Sequence, residues 1–193
     1  MRGFIRRPGR KSLLVALTAA LAVGIATVAF AATVICTGGP CVGTNSADVI
    51  AGTAGNDQIS ARGGNDSVIA NQGGQDYVSG STGNDFIQVD ESAGSRIDGG
   101  LGSDRISGAF GGGDSFNGGW GNDSLVNFGG APYTLTGGPN NDMLFSVDAR
   151  GGDTLNGGAF GSDFCVGDAE GTDQDTFIGC ETISNFDTNG DGN

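Results

Sequence analysis

The hydrophobic pattern of this chain has a long period, unlike that of an ordinary helix or strand. From Ile50 onward one large apolar residue recurs every nine or ten positions, at Ile50, Ile59, Val68, Val78, Ile87, Ile97, Ile106, Phe116, Leu125, Leu135, Leu144, Leu155, Cys165 and, after a longer step, Phe177. Two places before almost every one stands an Asp: Asp48, Asp57, Asp66, Asp76, Asp85, Asp104, Asp114, Asp123, Asp142, Asp153 and Asp163. Ser95 and Tyr133 fill two slots that have lost their Asp, and Asp175, in preference to Asp173, aligns with the last. Two places before the slot Gly dominates, as at Gly64, Gly83, Gly102 and Gly121. Three columns in phase over about 130 residues are an internal repeat, and its period decides the fold.

One unit reads as a Gly-rich turn followed by a very short strand. Gly supplies positive φ and close backbone approach, and the Asn or Asp beside it tolerates left-handed backbone. In the strand, the apolar side chain points inward and its two neighbours point out. A single unit cannot bury its apolar residue, but stacked units can. Two units per coil predict an all-β parallel solenoid of about seven coils, roughly 30 Å long by strand spacing.

Charge divides the chain. Of 9 basic residues, Arg2, Arg6, Arg7, Arg10 and Lys11 lie in the first eleven positions, whereas every one of the 22 acidic residues lies at Asp48 or later. The basic stretch leads into an uncharged apolar run from Leu13 to about Phe30 and then Ala29-Phe30-Ala31, a small-x-small cleavage signature. Residues 1–31 therefore read as a secretory signal peptide, against the alternative of an uncleaved anchor. Arg6-Arg7 leaves twin-arginine export open beside the general secretory route. Cleavage after Ala31 leaves 4 basic and 22 acidic side chains, a net charge of −18. The expected location is extracellular.

This composition excludes much chemistry. With no His, and no Lys after the signal, the chain lacks Ser/His/Asp and Cys/His pairs, a Schiff-base amine and His-bearing zinc sites. Its acidity repels nucleic acid and anionic lipid. No enzyme activity is expected. Four Cys in an exported chain read as two disulfides, and three pairings are possible. Local pairing, Cys36 with Cys41 and Cys165 with Cys180, would staple the two ends, and a metal–thiolate site is the alternative. The expected layout is a cap over 32–47, the repeat over 48–177, and a C-terminal cap with an acidic tail over 178–193.

Gly99-Gly100-Leu101-Gly102-Ser103-Asp104-Arg105-Ile106-Ser107 fits G-G-x-G-x-D-x-U-x throughout, as does Gly118-Gly119-Trp120-Gly121-Asn122-Asp123-Ser124-Leu125-Val126. Gly137-Gly138-Pro139-Asn140-Asn141-Asp142-Met143-Leu144-Phe145 departs once. The chain thus resembles the RTX, or haemolysin-type, calcium-binding nonapeptide repeats. The resemblance implies a right-handed parallel β-roll with several Ca2+ ions between turns stacked on one edge. Each ion would be shared by Asp oxygens and turn carbonyls of adjacent coils, and calcium, a hard cation taking six to eight oxygens, suits such a site. The implied ligands are the eleven Asp above with Gly64, Gly83, Gly102 and Gly121 of the turns.

Alternate slots fall on the same edge, which sorts the chain into two files. Asp48, Asp66, Asp85, Asp104, Asp123, Asp142 and Asp163 are unbroken, whereas Asp57, Asp76, Ser95, Asp114, Tyr133, Asp153 and Asp175 are interrupted twice. The first edge is expected to carry a continuous ion ladder, best formed between Asp66 and Asp142. Solvated Asx turns are the alternative, but carboxylates stacked at roughly 5 Å would repel strongly without counter-ions. Metal binding would then supply folding energy.

Other patterns carry less. Asp187-Thr-Asn189-Gly-Asp191-Gly192 opens like an EF-hand loop but lacks the later bidentate Glu. Asp90/Glu91 and Asp173/Asp175 are carboxylate pairs with no evident cleft around them. The Asn and Ser residues preceding the first-file Asp suggest an ice-binding row, but the companion row Gly63, Thr82, Leu101, Trp120, Pro139 is not a Thr array. RTX toxins pair their repeats with a separate active part, for which this chain has no room. Trp120 sits at a turn tip, where it either binds a ligand or covers the edge. The reading is a secreted calcium-binding protein, with an adhesion or ligand-binding module as the alternative.

Overall fold

A computed structural model describes residues 31–193 apart from 71–72, 91–93, 110–111, 131, 149–151, 169–173 and 187–193. The signal peptide, its Ala31 boundary excepted, and the EF-hand-like tail lie outside the described residues. The chain winds as a parallel β-solenoid, and no helix occurs among the described residues. Among the described residues, seventeen strands of three to six residues alternate between two sheets. The odd-numbered strands, from β1 (Thr33–Ile35) through β3 (Val49–Ala51), β9 (Arg105–Ala109) and β11 (Ser124–Asn127) to β17 (Thr182–Phe186), form a nine-stranded sheet in sequence order. The even-numbered strands, from β2 (Pro40–Val42) through β8 (Arg96–Leu101) and β10 (Ser115–Trp120) to β16 (Thr176–Ile178), form an eight-stranded one.

The register follows the apolar column of the sequence. Ile50 pairs with Val68, Val68 with Ile87, Ile87 with Ile106, and Ile106 with Leu125. In the other sheet Ile59 pairs with Val78, Val78 with Ile97, and Ile97 with Phe116. Every repeat position from Ile50 to Cys165 is fully buried, while the flanking strand residues face outward. The core is therefore two facing files of one large apolar side chain per strand, with a second buried residue two places on in some strands, as at Ala70, Val89, Asn127 and Ser146. Such thin burial explains why the repeat tolerates Val, Ile, Leu or Phe at the position and nothing polar.

The parallel pairing also takes in β1 and β2 ahead of Asp48, and β17 after Asp175. The disulfides are local. Cys36 is bonded to Cys41 with Cα atoms 5.5 Å apart, and Cys165 to Cys180 at 6.0 Å. Each lies near one end of the core, where a coil has a neighbour on one side only. There a covalent closure limits fraying that a core one side chain thick cannot resist.

Loop closure separates the two bonds energetically, since they span 5 and 15 residues. Replacing Cys165 and Cys180 by Ser should lower unfolding stability by about 3 kcal/mol, and replacing Cys36 and Cys41 by about 2 kcal/mol. Denaturant unfolding of the two double variants in calcium checks the order, and a larger loss from the N-terminal pair would contradict it.

Candidate metal-binding edges

The turns place the Asp side chains inside the coil. In the first file each carboxylate reaches one coil back and accepts the backbone N–H of the preceding Asp. The Asp48 N–H donates to Asp66 Oδ1 at 2.7 Å, Asp66 to Asp85 at 2.8 Å, Asp85 to Asp104 at 2.8 Å, Asp104 to Asp123 at 2.7 Å and Asp123 to Asp142 at 2.8 Å. Asp142 donates to Asp163 at 2.8 Å, and Asp163 to Glu181 Oε2 at 2.7 Å. The file expected from sequence is therefore one spatial ladder. Glu181 ends it, a residue the Asp column overlooked. Its signal was present, since Glu181 stands two places before the apolar Ile183.

One oxygen of each carboxylate is thereby satisfied, and the other decides the chemistry. Oδ2 of Asp66, Asp85, Asp104, Asp123 and Asp142 is buried without a hydrogen-bond partner, and on the second edge so is Oδ2 of Asp76. These Asp residues are only 2–3 % exposed. A buried charged oxygen without a partner is costly, and here five recur in consecutive coils. Burial, reinforced by neighbouring carboxylates, pushes Asp104 and Asp142 up to about 7, and it raises Asp66 to about 6. Burial alone raises Asp123 to about 6 and shifts Asp85 in the same direction.

Asp48 and Asp57 differ locally. The Thr44 N–H donates to Asp48 Oδ2 at 2.5 Å and its hydroxyl to Oδ1 at 3.0 Å, and Thr53 does the same for Asp57 at 2.5 and 3.0 Å. A Thr four places before the slot closes these turns with protein hydrogen bonds. The run of partnerless oxygens therefore begins at Asp66.

The second edge is broken where the sequence loses its Asp. Asp57 donates its N–H to Asp76 at 2.9 Å, Asp76 to the Ser95 hydroxyl at 2.8 Å, and Ser95 to Asp114 Oδ1 at 2.6 Å. Ser95 keeps the ladder without the charge. Tyr133 is buried, packs edge-on against Phe116 with ring centroids 5.9 Å apart, and donates its N–H to Asp153 Oδ1 at 2.6 Å. Burial and the nearby Asp114 raise its phenol. Asp153 also receives the Ser146 hydroxyl, and Asp175 receives the N–H groups of Asp153 at 3.0 Å and Asp168 at 2.7 Å. Asp168 lies outside the nine-residue pattern, so no column pointed to it.

The predicted turn glycines are explained by the stacking of carbonyls. Gly64, Gly83, Gly102 and Gly121 have φ of 103, 131, 131 and 133°. A Cβ on Gly83, Gly102 or Gly121 would collide with the carbonyl oxygen of Gly64, Gly83 or Gly102 one coil earlier. A row of backbone carbonyls thus runs along the same edge as the carboxylates. No three acidic, Cys or His side chains converge on one point among the described residues. An ion at this edge would therefore draw on the carboxylate oxygens of successive coils and on turn carbonyls. That all-oxygen donor set fits calcium and offers nothing to metals that favour thiolate or imidazole.

Two outcomes follow. Gly102→Ala forces a side chain into left-handed backbone against a carbonyl and should cost roughly 2–4 kcal/mol in thermal or denaturant unfolding. A neutral effect would contradict the packing. The carboxyls rise from 3.8 to about 6–7 on folding, so their contribution to the calcium-free fold is complete below pH 3.8 and lost as pH rises through 6–7. In a chelator, circular dichroism should show more β structure at pH 5 than at pH 8, and the reverse would contradict the buried ladder.

Comparison with known proteins adds one match. The family model of the RTX calcium-binding nonapeptide repeat, in four copies, matches residues 42–74 and 72–91. No curated protein and no solved structure matches the chain. The matched stretch contains Asp48, Asp57, Asp66, Asp76 and Asp85, and the complete nonapeptides at 99–107 and 118–126 continue its ladders in the same register. Residues 42–91 therefore carry RTX calcium-binding nonapeptide repeats, and the hydrogen-bonded Asp ladder of that stretch continues through the solenoid to Asp163.

Proposed function

We propose that this is a secreted calcium-binding protein whose solenoid folds around ions held mainly along the first edge. The observation that carries the reading is the row of partnerless buried oxygens on Asp66, Asp85, Asp104, Asp123 and Asp142. A divalent ion between coils would satisfy two such oxygens and remove the repulsion between them. Asp163 continues the hydrogen-bonded ladder at its C-terminal end, and Asp76 offers a separate partnerless oxygen on the second edge. Ser95 and Tyr133 divide that edge, so ions there would not form a continuous array. Export is supported by the basic–apolar–small N-terminal segment and by two disulfides, which persist in oxidising compartments. The role is binding, with no catalysis assigned.

The two edges make distinguishable predictions. By isothermal titration of the mature chain, Asp104→Ala or Asp123→Ala should weaken calcium binding on the order of tenfold and reduce calcium-dependent folding. Asp114→Ala and Asp48→Ala should have a smaller effect on calcium binding, because the former lies on the interrupted edge and the latter has protein partners for both oxygens. Equal losses from all four would overturn the assignment of the ions to the first edge.

A further inference from the structure

The first-edge turns present two files of side chains to solvent. Leu101, Trp120 and Pro139 each lie three places before a first-file Asp. Trp120 pairs in register with Leu101, and the carbonyls of Leu101, Trp120 and Pro139 accept the N–H groups of Gly83, Gly102 and Gly121. The Phe160 carbonyl accepts the N–H of Asn140, which carries the file on to Phe160. Leu101 is 52 % exposed, Trp120 63 % and Phe160 91 %, so the core covers none of them. Phe160 also has a φ of 65°, a left-handed conformation that costs stability for a non-glycine residue. Its backbone carries the coil-to-coil hydrogen bond to Asn140, but its exposed ring contributes nothing to the core.

Beside this ridge run the exposed residues Asn122 and Asn141. Their side-chain oxygens accept the N–H groups of Asn141 at 3.0 Å and Ser162 at 2.9 Å. The coil-to-coil ladder thus uses the oxygen of each amide and leaves its NH2 as a donor. Successive members of each file are one coil apart, about 4.8 Å. The surface is therefore an apolar line flanked by a line of hydrogen-bond donors, both along the solenoid axis.

Charge and size restrict the occupant. Neither file contains a cation and the chain is net acidic, which disfavours nucleic acid and anionic lipid. Four ridge side chains expose on the order of 300–400 Å², well under the roughly 800 Å² per partner of a stable protein interface. What fits is narrow, uncharged, apolar on one face and rich in acceptors at a regular spacing. We propose that the first edge binds a linear neutral polysaccharide. Sugar-ring C–H faces would lie on Leu101, Trp120, Pro139 and Phe160, and ring hydroxyl oxygens would accept from Asn122 and Asn141. The proposal rests on the calcium reading in one respect: the ions hold these turns and neutralise the carboxylates beneath them.

The test uses the full mature chain in calcium, titrated by calorimetry with cellohexaose, laminarihexaose and chitohexaose. Circular dichroism is run in parallel to read the calcium-dependent fold. Trp120 is the only Trp, so its emission reports directly on the ridge. The expected result is saturable binding of at least one hexaose with a blue shift of that emission. Trp120→Ala should weaken binding on the order of tenfold or more, and Phe160→Gly should weaken it too, both with the calcium-dependent dichroism unchanged. The proposal is overturned if a calcium-folded chain binds none of the three, or if Trp120→Ala leaves affinity unaltered. It is also overturned if the ridge instead drives adsorption to phosphatidylcholine vesicles or a dimer that Trp120→Ala dissolves. A chain that folds without calcium yet binds a hexaose contradicts the calcium reading and upholds this one.

Discussion

Everything in this molecule depends on a carboxylate oxygen that is buried and has no protein partner. The nine-residue turn draws each Asp inward, where one oxygen ties its coil to the preceding one. That bond fixes the register but uses only half of the carboxylate. The other half faces a neighbour of the same charge one coil away, in surroundings where charge is expensive. A proton or a cation must resolve the conflict, and the raised titration of Asp66, Asp104, Asp123 and Asp142 expresses the first option. Calcium would supply the second at neutral pH, with the flexible all-oxygen coordination that carboxylates and carbonyls offer.

The remainder of the sequence accommodates this arrangement. Coils can approach closely enough to share an ion only where a turn has no Cβ, hence the glycine files with positive φ. A core of one large side chain per strand gives little burial against the ordering cost of so much glycine. Ion binding, as proposed, and the end staples would supply the stability that such a core lacks. Cys36–Cys41 closes the first coil, and Cys165–Cys180 ties the last coils together.

Periodicity made most of the fold legible in the sequence. The apolar column names the large buried side chain of each strand from Ile50 to Cys165, but not the second inward residues such as Ala70, Val89, Asn127 and Ser146. The sorting of Asp into two files was equally legible, since coil length is simple arithmetic on the sequence. What escaped depends on side-chain detail that a nine-residue pattern does not encode. Thr44 and Thr53 satisfy the first two carboxylates, so chemically identical slots have different needs. Glu181 and Asp168 contribute from positions where the repeat has changed residue type or spacing. The row through Leu101, Trp120 and Pro139 was legible in the sequence, and Phe160, three places before Asp163, continues it, but their shared exposure on one edge appeared only in three dimensions.

The most direct test of the account is a calcium titration of the mature chain at neutral pH followed by far-ultraviolet circular dichroism, with a chelator reversal and a magnesium control. The account predicts little ordered structure in chelator, a cooperative gain of β signal with calcium, its loss on chelation, and little response to magnesium. An identical β spectrum with and without calcium would contradict it, because the buried carboxylates would then have been stabilised by the protein alone.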